Sequence, residues 1–291
     1  MKKKFRIGII GSENSHAGAF MNIFNKENIY DDIEVVAVGG IDSESNQKLF
    51  EEYNLEFIAE KPEDMLGKVD AVMITARDGK YHAQFAKPFI EAGIPAFIDK
   101  PFTVNKQEAV DLLKTAKEKG VPVCGGSSLK NCYDVLMLKN EFETNKDKIL
   151  TGTVTAPVNT TNPYSGFFFY SSHLAEISLA VFGYDPLSVT AIEKNGSIVA
   201  TVEYDNFCVA NCFASGCYQY HGQVVSNKRI YARNIDESMC YKHECEEFVE
   251  MLRTGKMKFT YAQLIAPVFY LNAIYDSYTT GQKVEIEKFE I

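Results

Sequence analysis

The chain has 291 residues, 46% of them hydrophobic, and a formal net charge of −9. That length suits one large domain or two ordinary ones around a sizeable core. The acidic balance, with no dense basic patch beyond Lys2–Lys4, argues against nucleic acid, and no apolar run is long enough to span a membrane. The first 125 residues alternate strand and helix. Strands are predicted at Phe5–Ile10, Ile33–Val38, Phe57–Ile58, Ala71–Thr75, Ala96–Ile98 and Val121–Cys124. Several are continuous apolar runs, as parallel strands covered on both faces require. Helices are predicted between them at His16–Asn25, Ser43–Tyr53, Pro62–Leu66, His82–Ala92 and Lys106–Lys119. Asn105 with Glu108 reads as a capping box, and Gly120 as the residue that ends the same helix.

Beyond Ser127 the pattern changes. Antiparallel strands are predicted at Ile149–Val158, Leu187–Lys194, Ser197–Tyr204, Phe207–Ala214 and Tyr218–Val225. Lys194-Asn-Gly-Ser197 is a hairpin turn signal, and Tyr204–Asn206 a second. A helix is expected at Ser171–Phe182, with two more at Glu237–Thr254 and Ala262–Thr280. Thr260 with Gln263 caps the last of these, and Gly255 and Gly281 end the two. The expected fold is α/β. Residues 1–126 form a Rossmann-like doubly wound parallel sheet, and residues 127–291 an α+β domain with an open, mostly antiparallel sheet. The final helices are free to pack back on the first domain.

Seven cysteines, an odd and scattered set, point to reduced thiols and a cytoplasmic protein. The N-terminal apolar run is too short for a signal peptide and reads directly into a strand. Cys240, His243 and Glu244 share one side of a predicted helix, but Cys245 turns away, so no metal site is expected.

Two stretches carry the chemistry. Gly8–Phe20, GIIGSENSHAGAF, is a strand, a turn and a helix start where a dinucleotide fingerprint would place G-x-G-x-x-G. Gly11 is present, but Glu13 stands where the second glycine lets backbone approach a pyrophosphate. Ser12, Asn14 and Ser15 are capping types whose turn still offers N–H groups to an anion. The second stretch, Ile94–Asn105, delivers Asp99-Lys100-Pro101 to the carboxyl end of a buried strand. Ligands of open parallel sheets sit at that edge, and an ammonium there can donate a hydrogen bond or a proton.

Around this triplet the chain resembles the Gfo/Idh/MocA oxidoreductases, whose mark there is Glu-Lys-Pro. Phe248–Ile286 is similar to the family's last helices and strand. Ser171-Ser-His173-Leu-Ala-Glu176 resembles its Gly-x-His-x-x-Asp helix start. The resemblance implies an NAD(P)-dependent dehydrogenase acting on a sugar- or polyol-like substrate. It implies Lys100 and His173 as catalytic residues, and Lys100, Tyr170, His173 and Glu176 at the substrate. It implies Gly11, Ser12, Asn14, Ser15, Asp42, Arg77 and His82 at the cofactor, with NAD preferred to NADP since no Arg stands near Asp42. It also implies a homo-oligomer built on the C-terminal sheet. Three departures stand out: Glu13, Gly40 in place of the ribose-binding acid, and Phe169 in place of an Asp four residues before the histidine. Together they motivate an alternative, a ligand-binding or regulatory relative without hydride chemistry.

Overall fold

The structure, a computed structural model, describes residues 4–289. Contacts divide the chain into two compact units. The first is the chain up to Gly126 together with Tyr241–Leu264; the second is Ser127–Cys240 with the chain from Ile265 on. This division does not follow a single cut at residue 126. Of the basic run at the N-terminus only Lys4 lies within the described residues, where it pairs with Glu34 at 3.5 Å.

The first unit is built on a six-stranded sheet of β1 (Phe5–Ile10), β2 (Ile33–Gly39), β3 (Phe57–Ala59), β4 (Ala71–Ile74), β5 (Ala96–Asp99) and β6 (Val123–Gly126). The order is β3-β2-β1-β4-β5-β6, and every pairing is parallel. Ile10 registers with Gly39 on one side and Ile74 on the other. The carboxyl ends of the central strands therefore finish at one edge, where the crossover order reverses. Helices α1 (Ser15–Met21), α2 (Ser43–Tyr53), α3 (His82–Glu91) and α4 (Lys106–Lys119) connect the strands. The α1 segment continues as a wider π turn over Asn22–Lys26, so the predicted single helix is two pieces. Asn105 caps α4 by accepting from the Gln107 and Glu108 amides, and Gly120 ends it with φ +64°. Ile7, Ile9, Phe20, Phe24, Met73 and Phe97 form the core, with Cys245, Phe248, Val249 and Met251 from a later helix packed among them. Tens of kcal/mol of apolar burial of this kind hold such a unit together before chain entropy is set against it.

The second unit carries helices α5 (Tyr133–Thr144), α6 (Phe167–Phe182), most of α8 (Tyr261–Thr280), and a seven-stranded sheet. Helix α7 (Cys240–Thr254) lies almost wholly with the first unit. The strands are β7 (Ile149–Val158), β8 (Ser188–Lys194), β9 (Ser197–Glu203), β10 (Cys208–Ser215), β11 (His221–Ser226), β12 (Ile230–Asn234) and β13 (Val284–Glu285). Their order is β12-β11-β7-β10-β9-β8-β13. All pairs are antiparallel except β7 with β10. The β8–β9 hairpin turns on Asn195 and Gly196, both at positive φ, as the Asn-Gly signal requires. Helix α5 and strand β12 were not expected from the sequence, and α6 begins four residues before its predicted start. Thr260 and Gln263 exchange both bonds of a capping box ahead of α8. Among the described residues no helix is long and apolar enough to cross a membrane.

Candidate functional site

At the carboxyl edge of the first unit, three loops run in close contact. Gly11 has φ +114°, and a Cβ there would lie 2.0 Å from the Ala76 amide nitrogen. Gly40 has φ +142°, and a Cβ there would lie 3.1 Å from the Gly11 amide nitrogen. The loops after β1, β2 and β4 are thus stacked with no room for a side chain between them. Both glycines serve loop packing.

Ser12 is buried and donates its hydroxyl to Asn46 Oδ1 at 2.6 Å, while Asn46 Nδ2 donates to the Gly40 carbonyl at 3.2 Å. Asp42 accepts the Ser45 amide at 3.0 Å and caps α2. Its carboxylate is engaged by the helix start. Ser15 is exposed and opens α1. Asn14 caps α1 by accepting the His16 amide at 3.3 Å and donates Nδ2 to Asp99 Oδ2 at 3.3 Å.

Asp99 and Lys100 end β5. Asp99 is fully buried, and its Oδ2 lies 2.6 Å from His16 Nδ1. Burial works to raise its pKa, but the His16 ring, then Lys100 and His82, hold the carboxyl below the usual range. Lys100 is 5% exposed. Burial pushes its ammonium below the usual lysine range; Asp99 and Glu244 hold it up, and Arg77 pushes it further down. Glu244, on α7, is buried; the sequence raised it only as a metal ligand and not as a neighbour of Lys100. Its contribution depends on tertiary packing across more than a hundred residues, which no local pattern encodes.

Glu13 reaches across the edge. Its Oε1 accepts the Arg77 backbone N–H at 3.0 Å, and its Oε2 is buried without a hydrogen-bond partner. The Arg77 side chain is exposed. His82 is fully buried, with Nδ1 2.8 Å from the Pro101 carbonyl and Nε2 2.7 Å from the Ala76 carbonyl. Both ring nitrogens are engaged by the loops that follow β4 and β5, so His82 braces those loops. The family resemblance puts it among the cofactor ligands; in the structure its ring is enclosed by these loops. Beside the loops lies a cavity of about 350 Å³ at the ends of β2 and β3, lined by Ile41, Glu60, Lys61, Pro62 and Phe85 among others.

The second unit holds the other expected residues on α6. His173 and Glu176, three residues apart, lie on one buried face. His173 Nδ1 is 2.7 Å from Ser127 Oγ, and its ring meets Tyr220 edge-on at 5.7 Å. Glu176 Oε1 accepts the Ser127 amide at 3.1 Å, and Oε2 pairs with Lys130 at 3.1 Å. Ser127, Lys130 and Tyr220 were not anticipated. Ser127 and Lys130 flank a single turn whose polar residues read as ordinary loop. Tyr170 is half-buried against Phe169 and Tyr218. Phe167 packs on Phe213, Tyr275 and Tyr278 as core, and Phe169 meets Tyr164. On α7, Cys240 and Cys245 are both buried. Among the described residues no group of three His, Cys, Asp or Glu is arranged to hold a metal.

The parallel six-stranded sheet, with its loops meeting at the carboxyl edge, gives the first unit a Rossmann-like fold. Residues 5–127 match the profile described as "Oxidoreductase family, NAD-binding Rossmann fold", of the Gfo/Idh/MocA group that the sequence resembles. Solved structures agree in fold. Myo-inositol 2-dehydrogenase from Lactobacillus plantarum superposes with a TM-score of 0.84 at 17% identity, over 98% of this chain and 100% of that one. Scyllo-inositol dehydrogenase from Lactobacillus casei, with bound NAD(H) and scyllo-inositol, gives 0.83 at 14% identity, over 98% and 99%. GenD2 from gentamicin A biosynthesis, in complex with NAD, gives 0.84 at 14% identity, over 99% and 97%. No curated protein matches the chain significantly in sequence.

Proposed function

We propose that the chain is an NAD(P)-dependent dehydrogenase acting on a CH–OH carbon of a sugar- or polyol-like substrate. The observation that carries this is Lys100, a buried ammonium at the carboxyl edge of a Rossmann sheet, set against two carboxylates. Such a group is not needed to hold a strand end, and burying it costs stability. Its use is to polarise or protonate a substrate oxygen. His173, oriented through Nδ1, takes or returns the hydroxyl proton.

The residues of the first unit fit a dinucleotide on one condition. The cavity beyond β2 and β3 would hold the adenosine half, and Glu60 in its lining would accept from a ribose hydroxyl. Glu13 must leave the Arg77 amide for a diphosphate to pass. When bound, the nicotinamide group supplies the hydride acceptor or donor. NAD is the preferred form, although Lys61 also lines the cavity and would favour a 2′-phosphate.

Glu13 also favours a second reading: a ligand-binding relative that does not turn over. Titration separates the two. NADH and NADPH are added to the protein, and energy transfer from tyrosine is followed, since the chain has no Trp. Binding, with turnover on a polyol panel that Lys100→Ala abolishes, supports the dehydrogenase. No binding at millimolar cofactor overturns it.

The protein is further assigned to the cytoplasm, on its odd and scattered set of seven cysteines. It is assigned a homo-oligomeric state through the outer face of the second unit's sheet. There Ile192 and Val199 pair directly and are 62% and 51% exposed. Val199 is followed across the sheet by Cys212 and Thr155, so this row carries no charge.

A further inference from the structure

Ser127 is fully buried, and its hydroxyl makes two contacts. Oγ accepts the Leu129 amide at 3.2 Å and faces His173 Nδ1 at 2.7 Å. With the Leu129 bond in place, one lone pair and one proton remain on Oγ. The hydroxyl can therefore accept from a protonated Nδ1 or donate to a bare one. An ionised carboxylate in this position would offer the ring only an acceptor.

Ser127 is itself held on two sides. Its amide donates to Glu176 Oε1, and Glu176 Oε2 takes Lys130 Nζ, with both side chains nearly fully buried. His173 and Glu176 stand three residues apart on α6; Ser127 and Lys130 stand three apart on the facing turn. Two pairs thus lock the turn 127–131 to the face of α6 that carries the histidine. A buried ion pair contributes little net stability, and its better-attested use is to fix one arrangement.

We infer that Ser127 is a positioning residue for proton transfer at His173, with the Glu176–Lys130 pair fixing Ser127 in turn. In the base-competent ring Nδ1 carries its proton and donates it to Oγ, so Nε2 presents a lone pair. Nε2 then takes the substrate hydroxyl proton as the hydride leaves the same carbon, and the ring becomes imidazolium with the Nδ1 bond intact. Returning that proton restores the neutral ring. Glu176 thereby acts through Ser127, a different role from the substrate contact expected of it.

The inference rests on His173 as the proton-transfer group, and the experiment reads the two separately. Ser127→Ala, Ser127→Thr and His173→Ala are compared by kcat/KM against pH. The ring ¹⁵N shifts of His173 are recorded for the wild type and both serine variants without turnover. Ser127→Ala should lower kcat/KM by about tenfold or more, move the histidine limb of the profile, and change the Nδ1 shift. Ser127→Thr, which keeps the hydroxyl, should restore most of all three. Unchanged ¹⁵N shifts and pH limb in Ser127→Ala, with His173→Ala inactive, would overturn the positioning role alone. Wild-type turnover in His173→Ala would overturn the underlying reading as well.

Discussion

Glu13 Oε1 accepts the backbone N–H of Arg77, joining the loop after the first strand to the loop after the fourth. The bond spans the edge where a dinucleotide's diphosphate would cross. It also leaves the other carboxylate oxygen buried and unpartnered. A like charge at about 4 Å costs roughly 1 kcal/mol even in water, and more when desolvated. Glu13→Gly should therefore tighten NADH binding about fivefold or more, read by tyrosine-to-NADH energy transfer. Weaker binding in this variant would mean that Glu13 is a ligand contact and not an obstacle.

The pH dependence of turnover follows from the surroundings of Lys100. Burial lowers its pKa from the ordinary 10.5, so the alkaline limb of kcat/KM should fall below that value. Arg77 depresses the ammonium and Glu244 supports it. Arg77→Ala should move the limb to higher pH, and Glu244→Gln to lower pH. If both variants shift the limb the same way, Lys100 is not the group that titrates.

Asp99 gives a stability prediction with a defined sign. Its pKa in the folded chain lies below the ordinary 3.8, so its contribution is present above that pH. The contribution is lost as pH falls from 3.8 through the folded value. Asp99→Asn leaves Lys100 without its adjacent counter-charge, and should cost about 3–5 kcal/mol near neutral pH. Urea unfolding along a pH series should show the gap to wild type narrowing on the acid side. A gap that stays constant with pH would assign the loss to packing.

The outer face of the second sheet supplies the fourth test. Ile192→Lys with Val199→Lys places two charges in directly paired positions of an uncharged row. Sedimentation should show a smaller species at micromolar concentration, while the melting temperature of the unit changes little. An unaltered mass would remove this face as the contact between copies.

Much of this architecture is legible in local pattern. Apolar runs and turn residues mark the βα alternation, and Asn105, Gly120, Asn195 and Gly196 do in the structure what their types suggest. Helix α5 left a signal too: Val135, Leu138 and Phe142 are among its buried residues at helical spacing, but no capping side chain announces the start. The position of Lys100 at the end of a buried strand could be read from local pattern. Pairs distant in the chain could not be read in this way. His16 with Asp99, Glu244 beside Lys100, and Ser127 with His173 are brought together by packing alone. Asp42 was ambiguous because a ribose acceptor and a helix cap call for the same side chain, and here the helix holds it.

The stacking of Gly11 on Ala76 and of Gly40 on Gly11 bears on how this chain can change. Restoring an acid at position 40 demands more than a new side chain, because its first carbon already meets the neighbouring loop. A route back to the conventional ribose contact must pass through an altered first loop. Redesign of cofactor preference is better aimed at Glu60 and Lys61, which line the open cavity.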